Sequence, residues 1–339
     1  MVLGASLALA VDAGAARDAW LTRLRDHRPG DPVLVGQHTG HGAGVRAGYG
    51  RHFADLGIVT GRIPRLCGVD YGWDHLDPQE IAEANRVLKA HAARGGWITV
   101  SMSPGNPCTG GGVQEVSGVD VVAMLTPGTP AERAWTAMVD VVAVGLRDLQ
   151  DAGLPVLWRP FHESNGGFFW WASEQSGIWT RPDDFRRLWH DLYRRLTVDH
   201  GLRNLIWVFA AQARLDLRIR PVDTYLPTLA EVDVVGLDLY TTRLDATTLG
   251  EDYARLKASG RPFLIAEIGP PADAVGTLDG SMAWAAMLTH CPDAVAITWW
   301  QSWSRPFLWT SRWQALALGD NPGAAAVLWD PRADTLSWP

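Results

Sequence analysis

Two glutamates close apolar runs in this chain. Glu163 lies in Trp158-Arg159-Pro160-Phe161-His162-Glu163-Ser164-Asn165-Gly166-Gly167-Phe168-Phe169-Trp170-Trp171, just after the run Leu154 to Trp158. Glu267 ends Pro262-Phe263-Leu264-Ile265-Ala266-Glu267, before Ile268-Gly269. A carboxylate flanked by Ile265, Ala266 and Ile268 is costly unless it is paired or used. Two such carboxyls can divide the work of breaking a glycosidic bond. One, its pKa raised by desolvation, protonates the leaving oxygen. The other attacks the anomeric carbon at a separation of about 5–5.5 Å, or activates water at a wider one. The four aromatic residues after Gly167 suit this chemistry, because sugar rings pack their C–H faces on aromatic rings. Two plainer readings stay open: an ion pair of Glu267 with a buried Arg such as Arg159, and a loop-capping role for Glu163.

Such side chains need elements that bring them together. Short β-branched runs predict eight strands: Val33–Gln37, Ile63–Val69, Trp97–Met102, Val156–Phe161, Asn204–Phe209, Val232–Leu237, Phe263–Glu267 and Val295–Trp299. Helical patterns lie between them. Asp77-Pro78-Gln79-Glu80 and Thr129-Pro130-Ala131-Glu132 each place an N-cap before a Pro at the first helical position, and Arg181-Pro182 opens a third helix. Further helices are expected over Thr247 to Ser259 and Leu278 to His290. Eight strands alternating with helices give an α/β fold, a single-domain (β/α)₈ TIM barrel. Active sites of this fold sit at the C-terminal strand ends, which singles out Gln37, His38, Asp70, Tyr71, Ser101 to Asn106, His162, Glu163, Asn165, Gln212, Asp238, Tyr240, Glu267, Trp299 and Trp300. Asp70 either contacts substrate or caps the next helix; Asp238 is either structural or ligand-facing.

Composition narrows the partners. The chain has 339 residues and a net charge of −7, with no long basic run, which argues against nucleic acid. No stretch is long and apolar enough to span a membrane. Eighteen Trp is high usage; about half are expected in the core and the rest against a glycan. Cys67, Cys108 and Cys291 match no zinc or redox spacing, and a Cys67–Cys108 disulfide is left open. His38 and His41 have no carboxylate or Cys at metal spacing, so no metal is expected. Val2 to Val11 followed by Ala13, Ala15 and Ala16 resembles the end of a secretory signal without its basic region. Residues 1–19 are therefore read as a signal remnant or N-terminal extension, residues 20–339 as the catalytic barrel, and the protein as secreted.

The motif Arg159-Pro160-Phe161-His162-Glu163-x-Asn165-Gly166-x-Phe168-x-Trp170-Trp171 resembles the strand 4 signature of glycoside hydrolase family 26, best known for endo-β-1,4-mannanases. Gly36-Gln37-His38, Gly68-Val69-Asp70-Tyr71, Val235-Gly236-Leu237-Asp238-x-Tyr240 and Ala266-Glu267-Ile268-Gly269 resemble its other strand ends, so the likeness covers roughly residues 30 to 310. It implies Glu163 as acid/base, Glu267 as nucleophile and Tyr240 as its hydrogen-bond partner. It implies that His162 orients the acid/base or touches the sugar at the cleavage subsite, and that Arg159 keeps Glu267 ionised. Trp170, Trp171 and one of Trp299 or Trp300 are implied as stacking platforms. Beside the resemblance, the residues themselves make Gln37 or His38 a candidate sugar contact, Asp70 a candidate for substrate contact or helix capping, and Asn165 a supporting residue. One departure stands out: Met102-Ser103 occupy the place of the family's Trp-His. The expectation is a cofactor-free, monomeric, retaining endo-hydrolase of β-1,4-mannan or a related mannose-containing polysaccharide. Mixed-linkage β-glucan, β-xylan or an exopolysaccharide are the alternative substrates, and a non-catalytic glycan-binding barrel is the lesser alternative.

Overall fold

The structure is a computed structural model and describes residues 12–270, 278–300 and 317–339. The run Val2 to Val11 thus lies outside the described residues. Eight parallel strands form the barrel: β1 (Val33–His41), β2 (Leu66–Asp74), β3 (Trp97–Pro104), β4 (Val156–Arg159), β5 (Leu205–Gln212), β6 (Val234–Tyr240), β7 (Phe263–Gly269) and β8 (Ala294–Trp299). They are hydrogen-bonded in chain order, and β1 pairs with β8 to close the ring, with Leu34 opposite Ala296 and Gly36 opposite Thr298. Helices Pro78–Ala93, Pro130–Asp151, Pro182–Arg194, Ala246–Lys257 and Gly280–His290 cover the outside. The first two start as the sequence dictates. The Asp77 carboxylate accepts the Gln79 N–H at 2.7 Å, and the Thr129 hydroxyl accepts the Glu132 N–H at 3.0 Å.

The core divides into two shells. One lies between barrel and helices; the other fills the barrel from below with Leu34, Leu66, Leu157, Ile206, Val234 and Leu264. Helix Ala13–Asp26 plugs the bottom, Leu21 and Leu24 joining that inner cluster and Trp20 stacking on Trp97 at 3.8 Å. This helix runs across the expected boundary between residues 19 and 20. Along each strand the inward positions follow the period of two. They change from apolar at the bottom, through glycine or a small residue, to polar at the top: Leu34, Gly36, His38; Leu66, Gly68, Asp70; Val234, Gly236, Asp238. The glycines make room. A Cβ on Gly68 would lie 2.6 Å from the His38 ring.

Two expected strands differ. Ile63–Val69 is interrupted at Arg65: Arg62–Pro64 pairs antiparallel with the C-terminal strand Ala333–Ser337, and only from Leu66 does the chain enter the barrel. Strand 4 stops at Arg159 rather than Phe161, because Pro160 has no N–H to give and Phe161 is left-handed at φ 51°. The three thiols are free; Cys67 is buried on β2, and the Cys108 sulfur lies in a loop 3.3 Å from the Asp120 nitrogen.

At the closing seam a Cβ on Gly36 would sit 2.5 Å from the Thr298 hydroxyl. Gly36→Ala is expected to destabilise the fold by about 1–3 kcal/mol, read from the denaturant midpoint. Adding Thr298→Ala is expected to recover at least half of that.

Candidate active site

Every polar group of the site is carried to the barrel mouth by the inward-facing rows, with two exceptions that need irregular backbone. In β7 the inward positions Leu264 and Ala266 would send Glu267 outward. The β6–β7 register slips there: Ile265 faces Leu237, yet Glu267 faces Asp238. That extra residue is a bulge, and it turns Glu267 into the barrel. After β4, Phe161 and Glu163 are both left-handed, at φ 51° and 53°. Each such residue costs roughly 1–2 kcal/mol, a form of strain that gathers at functional sites. The Glu163 N–H donates to the Ala210 carbonyl at 2.9 Å, and the Gly166 N–H to the Glu163 carbonyl at 2.9 Å.

At the centre lies Arg159, buried at the end of β4. Its Nη2 donates to Glu267 Oε1 at 2.5 Å and its Nη1 to Asp238 Oδ2 at 3.0 Å. The Tyr240 hydroxyl donates to Glu267 Oε2. One oxygen from each of Glu163, Asp238 and Glu267 lies within 4.8 Å of the others, with all three residues buried. That spacing would suit a cation, and the guanidinium of Arg159 already serves as one for Asp238 and Glu267. Burial first, and the Glu267 charge second, push Glu163 up to about 8, against a smaller lowering by Arg159. Burial and the same charge raise Asp238 and the Tyr240 phenol well above their ordinary values. For Arg159, burial works against its charge, but Glu267 and Asp238 outweigh it and hold it firmly protonated.

One wall of the mouth is built from histidines and hydroxyls. His38 and His162 are held well below the usual imidazole range by burial and then by the charge of Arg159, so both rings are neutral. Neither ring nitrogen of His38 has a partner among the described residues. Asp70 does not cap the next helix, since Asp77 does. Its Oδ2 accepts the hydroxyls of Ser101 at 2.8 Å and Ser103 at 3.0 Å, and its Oδ1 lies 3.9 Å from His41 Nδ1. Gln37 is spent on structure: its Nε2 donates to the Trp300 carbonyl at 2.9 Å, and its Oε1 accepts the Leu318 N–H at 3.0 Å. Tyr71 points outward to Asn85. Asn165 clamps two loops, its Nδ2 donating to the Gln212 and Arg220 carbonyls at 2.8 and 2.9 Å and its Oδ1 accepting the Gln212 N–H at 2.8 Å.

The aromatic expectations need correction. Trp170, Trp171 and Trp299 are wholly buried and present no face to a ligand. Trp170 packs edge-on to Trp135 and Phe161, its indole N–H on the Pro104 carbonyl at 2.8 Å. Trp171 packs behind His162 and donates to the His162 carbonyl at 3.0 Å. Trp299 points out of the barrel and stacks on Trp284. Trp300 is the one that turns inward, 4.4 Å from the His38 ring. Two rings are partly exposed: Phe168, one of the four aromatics the sequence points to, and Trp73, which it does not, and which meets His41 at 5.2 Å and Phe169 at 6.2 Å. The period of two counted on from Asp70 passes over Trp73; the bulge between Asp70 and Trp73, with Gly72 at φ 88°, resets it.

Comparison with known proteins agrees with this geometry. A model of glycosyl hydrolase family 26 matches residues 16–315. Among similar proteins is a mannan endo-1,4-beta-mannosidase A and B of Caldalkalibacillus mannanilyticus, 33% identical over 301 residues. The match covers 83% of this chain and 57% of that relative, so the chain spans little more than half of its length. A mannan endo-1,4-beta-mannosidase of Bacillus subtilis is 30% identical over 281 residues, 80% of this chain and 72% of its own. The solved structure of Bacillus subtilis mannanase man26 superposes with a TM-score of 0.78 at 25% identity, covering 98% of this chain and 95% of that one. The paired glutamates, the barrel that presents them and a match over most of the sequence carry one conclusion: the chain belongs to glycosyl hydrolase family 26.

Proposed function

We propose that this chain hydrolyses β-1,4-mannan, or a related mannose-containing polysaccharide, within the chain and with retention of anomeric configuration. The observation that carries the reading is the approach of Glu163 and Glu267, with oxygens within 4.8 Å. So close an approach of their nearest oxygens favours direct attack, which needs carboxyl groups about 5–5.5 Å apart, over the water-mediated arrangement at about 6.5–9.5 Å. Glu267, held by Arg159 and Tyr240, attacks the anomeric carbon while Glu163 protonates the leaving oxygen. Glu163 then takes a proton from water, and that water releases the sugar from Glu267. The names of the relatives favour mannan. The polymer's size and the apolar run Val2 to Val11 favour an extracellular setting.

A second reading, another β-glycan, rests on the wall at β3. Ser103 gives its hydroxyl to Asp70, so a small group stands where a bulkier side chain would narrow the cleft, while Met102 faces away, among the residues packed between barrel and helices. Reducing-sugar release from unbranched mannan, mixed-linkage glucan and xylan separates the two. Mannan is expected to be cleaved fastest, and a faster rate on glucan or xylan would move the assignment. Glu267→Ala is expected to lose at least about 10³-fold in kcat on mannan; full activity in a pure preparation would overturn the nucleophile assignment and leave only a binding role for the pair.

The pH profile gives a further test. Glu163 must be protonated for the first step, and in the folded protein its carboxyl is raised to about 8. The protonated form therefore predominates below that pH. The value of kcat/KM is expected to fall as pH rises through about 8, by roughly tenfold per unit beyond it. A profile flat to pH 10 would contradict the assignment of Glu163 as the acid.

A further inference from the structure

The turn that carries Glu163 has no regular secondary structure to hold it. Its strand has ended at Arg159, Pro160 donates nothing, and Phe161 and Glu163 both sit at left-handed φ. Something outside the turn must hold it, because a general acid displaced by even about 1 Å loses much of its effect. The Ala210 carbonyl holds the Glu163 N–H, and Gln212 and Arg220 hold Asn165; the groups that hold Phe161 and His162 are aromatic and lie behind the turn. The Phe161 ring is buried in a box of Trp135, Trp170, Trp171, Phe185 and Trp189, with centroids 5.9–6.4 Å away. The next residue, His162, is tethered by the Trp171 indole, whose N–H donates to its carbonyl at 3.0 Å. Trp171 also packs against the His162 ring at 5.6 Å and the Phe169 ring at 4.5 Å.

We propose that Trp171 is a positioning residue for the acid/base: with Phe161 anchored in the aromatic box, its indole hydrogen bond to the His162 carbonyl fixes the left-handed turn that aims Glu163 at the leaving oxygen. The inference rests on the reading of Glu163 as acid/base. It assigns Trp171 an action through the turn and none on the sugar, as its complete burial requires. A stacking ring and a positioning ring leave different kinetic marks. Loss of a stacking ring weakens binding and raises KM. Loss of the tether disturbs proton delivery, which matters only when the leaving group needs a proton.

The test is Trp171→Phe, which keeps an aromatic ring and removes the N–H. Two substrates are compared: mannotetraose, with a poor sugar leaving group, and 2,4-dinitrophenyl β-mannobioside, whose phenolate leaves unprotonated. For mannotetraose, kcat/KM is expected to fall about 10–100-fold with KM within twofold; for the dinitrophenyl glycoside it is expected to stay within about threefold. An equal loss on both substrates, a raised KM at unchanged kcat, or parent-like values on both would each overturn the proposal. Glu163→Ala, run in parallel, keeps the two readings apart. If that variant lowers kcat/KM equally for both substrates, the acid/base reading of Glu163 fails, whatever Trp171 does. Should Trp171→Phe not fold, judged by its thermal transition, Phe161→Leu must show the same leaving-group-selective loss, and an unselective loss there overturns the proposal.

Discussion

The site depends on one buried cation shared by two carboxylates. Arg159 reaches Asp238 through one guanidinium nitrogen and Glu267 through another. Three carboxyls crowd within 4.8 Å, and one guanidinium cannot neutralise three negative charges in a water-poor interior. Like charges at that distance force protons to remain on the cluster. Glu267 is the member bonded to both Arg159 and the Tyr240 hydroxyl. Among the described residues Glu163 accepts no side-chain donor comparable to these, and it is pushed up to about 8. The proposed division between nucleophile and acid thus rests on where a single Arg side chain ends. The plain reading of Glu267, an ion pair with Arg159, is present, and the proposed catalytic role is compatible with the same contact. A buried ion pair is weak evidence of stability; in the proposed mechanism it orients the attacking carboxylate.

The barrel makes this arrangement by grading its inward rows. Apolar side chains fill the lower half, glycines at Gly36, Gly68 and Gly236 leave space midway, and polar groups emerge at the mouth. Both catalytic candidates depart from the regular row. Glu267 enters through a bulge in β7, and Glu163 through a left-handed turn after β4. Regular strands alone would put Glu267 against the helices. The neutral rings of His38 and His162 line the same mouth without adding charge near Arg159, so the cation's field is spent on the carboxylates.

Much of this was legible in the chain. Eight β-branched runs, Pro-initiated helices and two glutamates at run ends lead to the barrel and its pair, because strand period and capping chemistry are local. What was not legible depends on direction. Trp170, Trp171 and Trp299 read as platforms because sequence carries no sign of which way a ring turns after a strand ends. Their indole partners, Pro104 and His162, and the ring Trp284 come from distant or irregular segments. Trp73 is passed over by the period of two because a bulge between Asp70 and Trp73 resets the alternation. Asp70 reads equally as substrate contact or helix cap in the sequence; the hydroxyls of Ser101 and Ser103, about thirty residues away, place it in the wall. The break at Arg65 depends on a C-terminal strand that pairs across nearly the whole chain.

Central to the proposed mechanism is a covalent bond between Glu267 and the sugar. Incubation with 2,4-dinitrophenyl 2-deoxy-2-fluoro-β-mannobioside, followed by intact-mass measurement and peptide mapping, tests it. The fluorine slows release of the intermediate while the good leaving group allows it to form. One fluoroglycosyl adduct per chain, on the peptide containing Glu267 and at that residue, is the predicted result. An adduct on Asp238 or Glu163, or turnover of unmodified substrate with inverted product and no adduct, would contradict it.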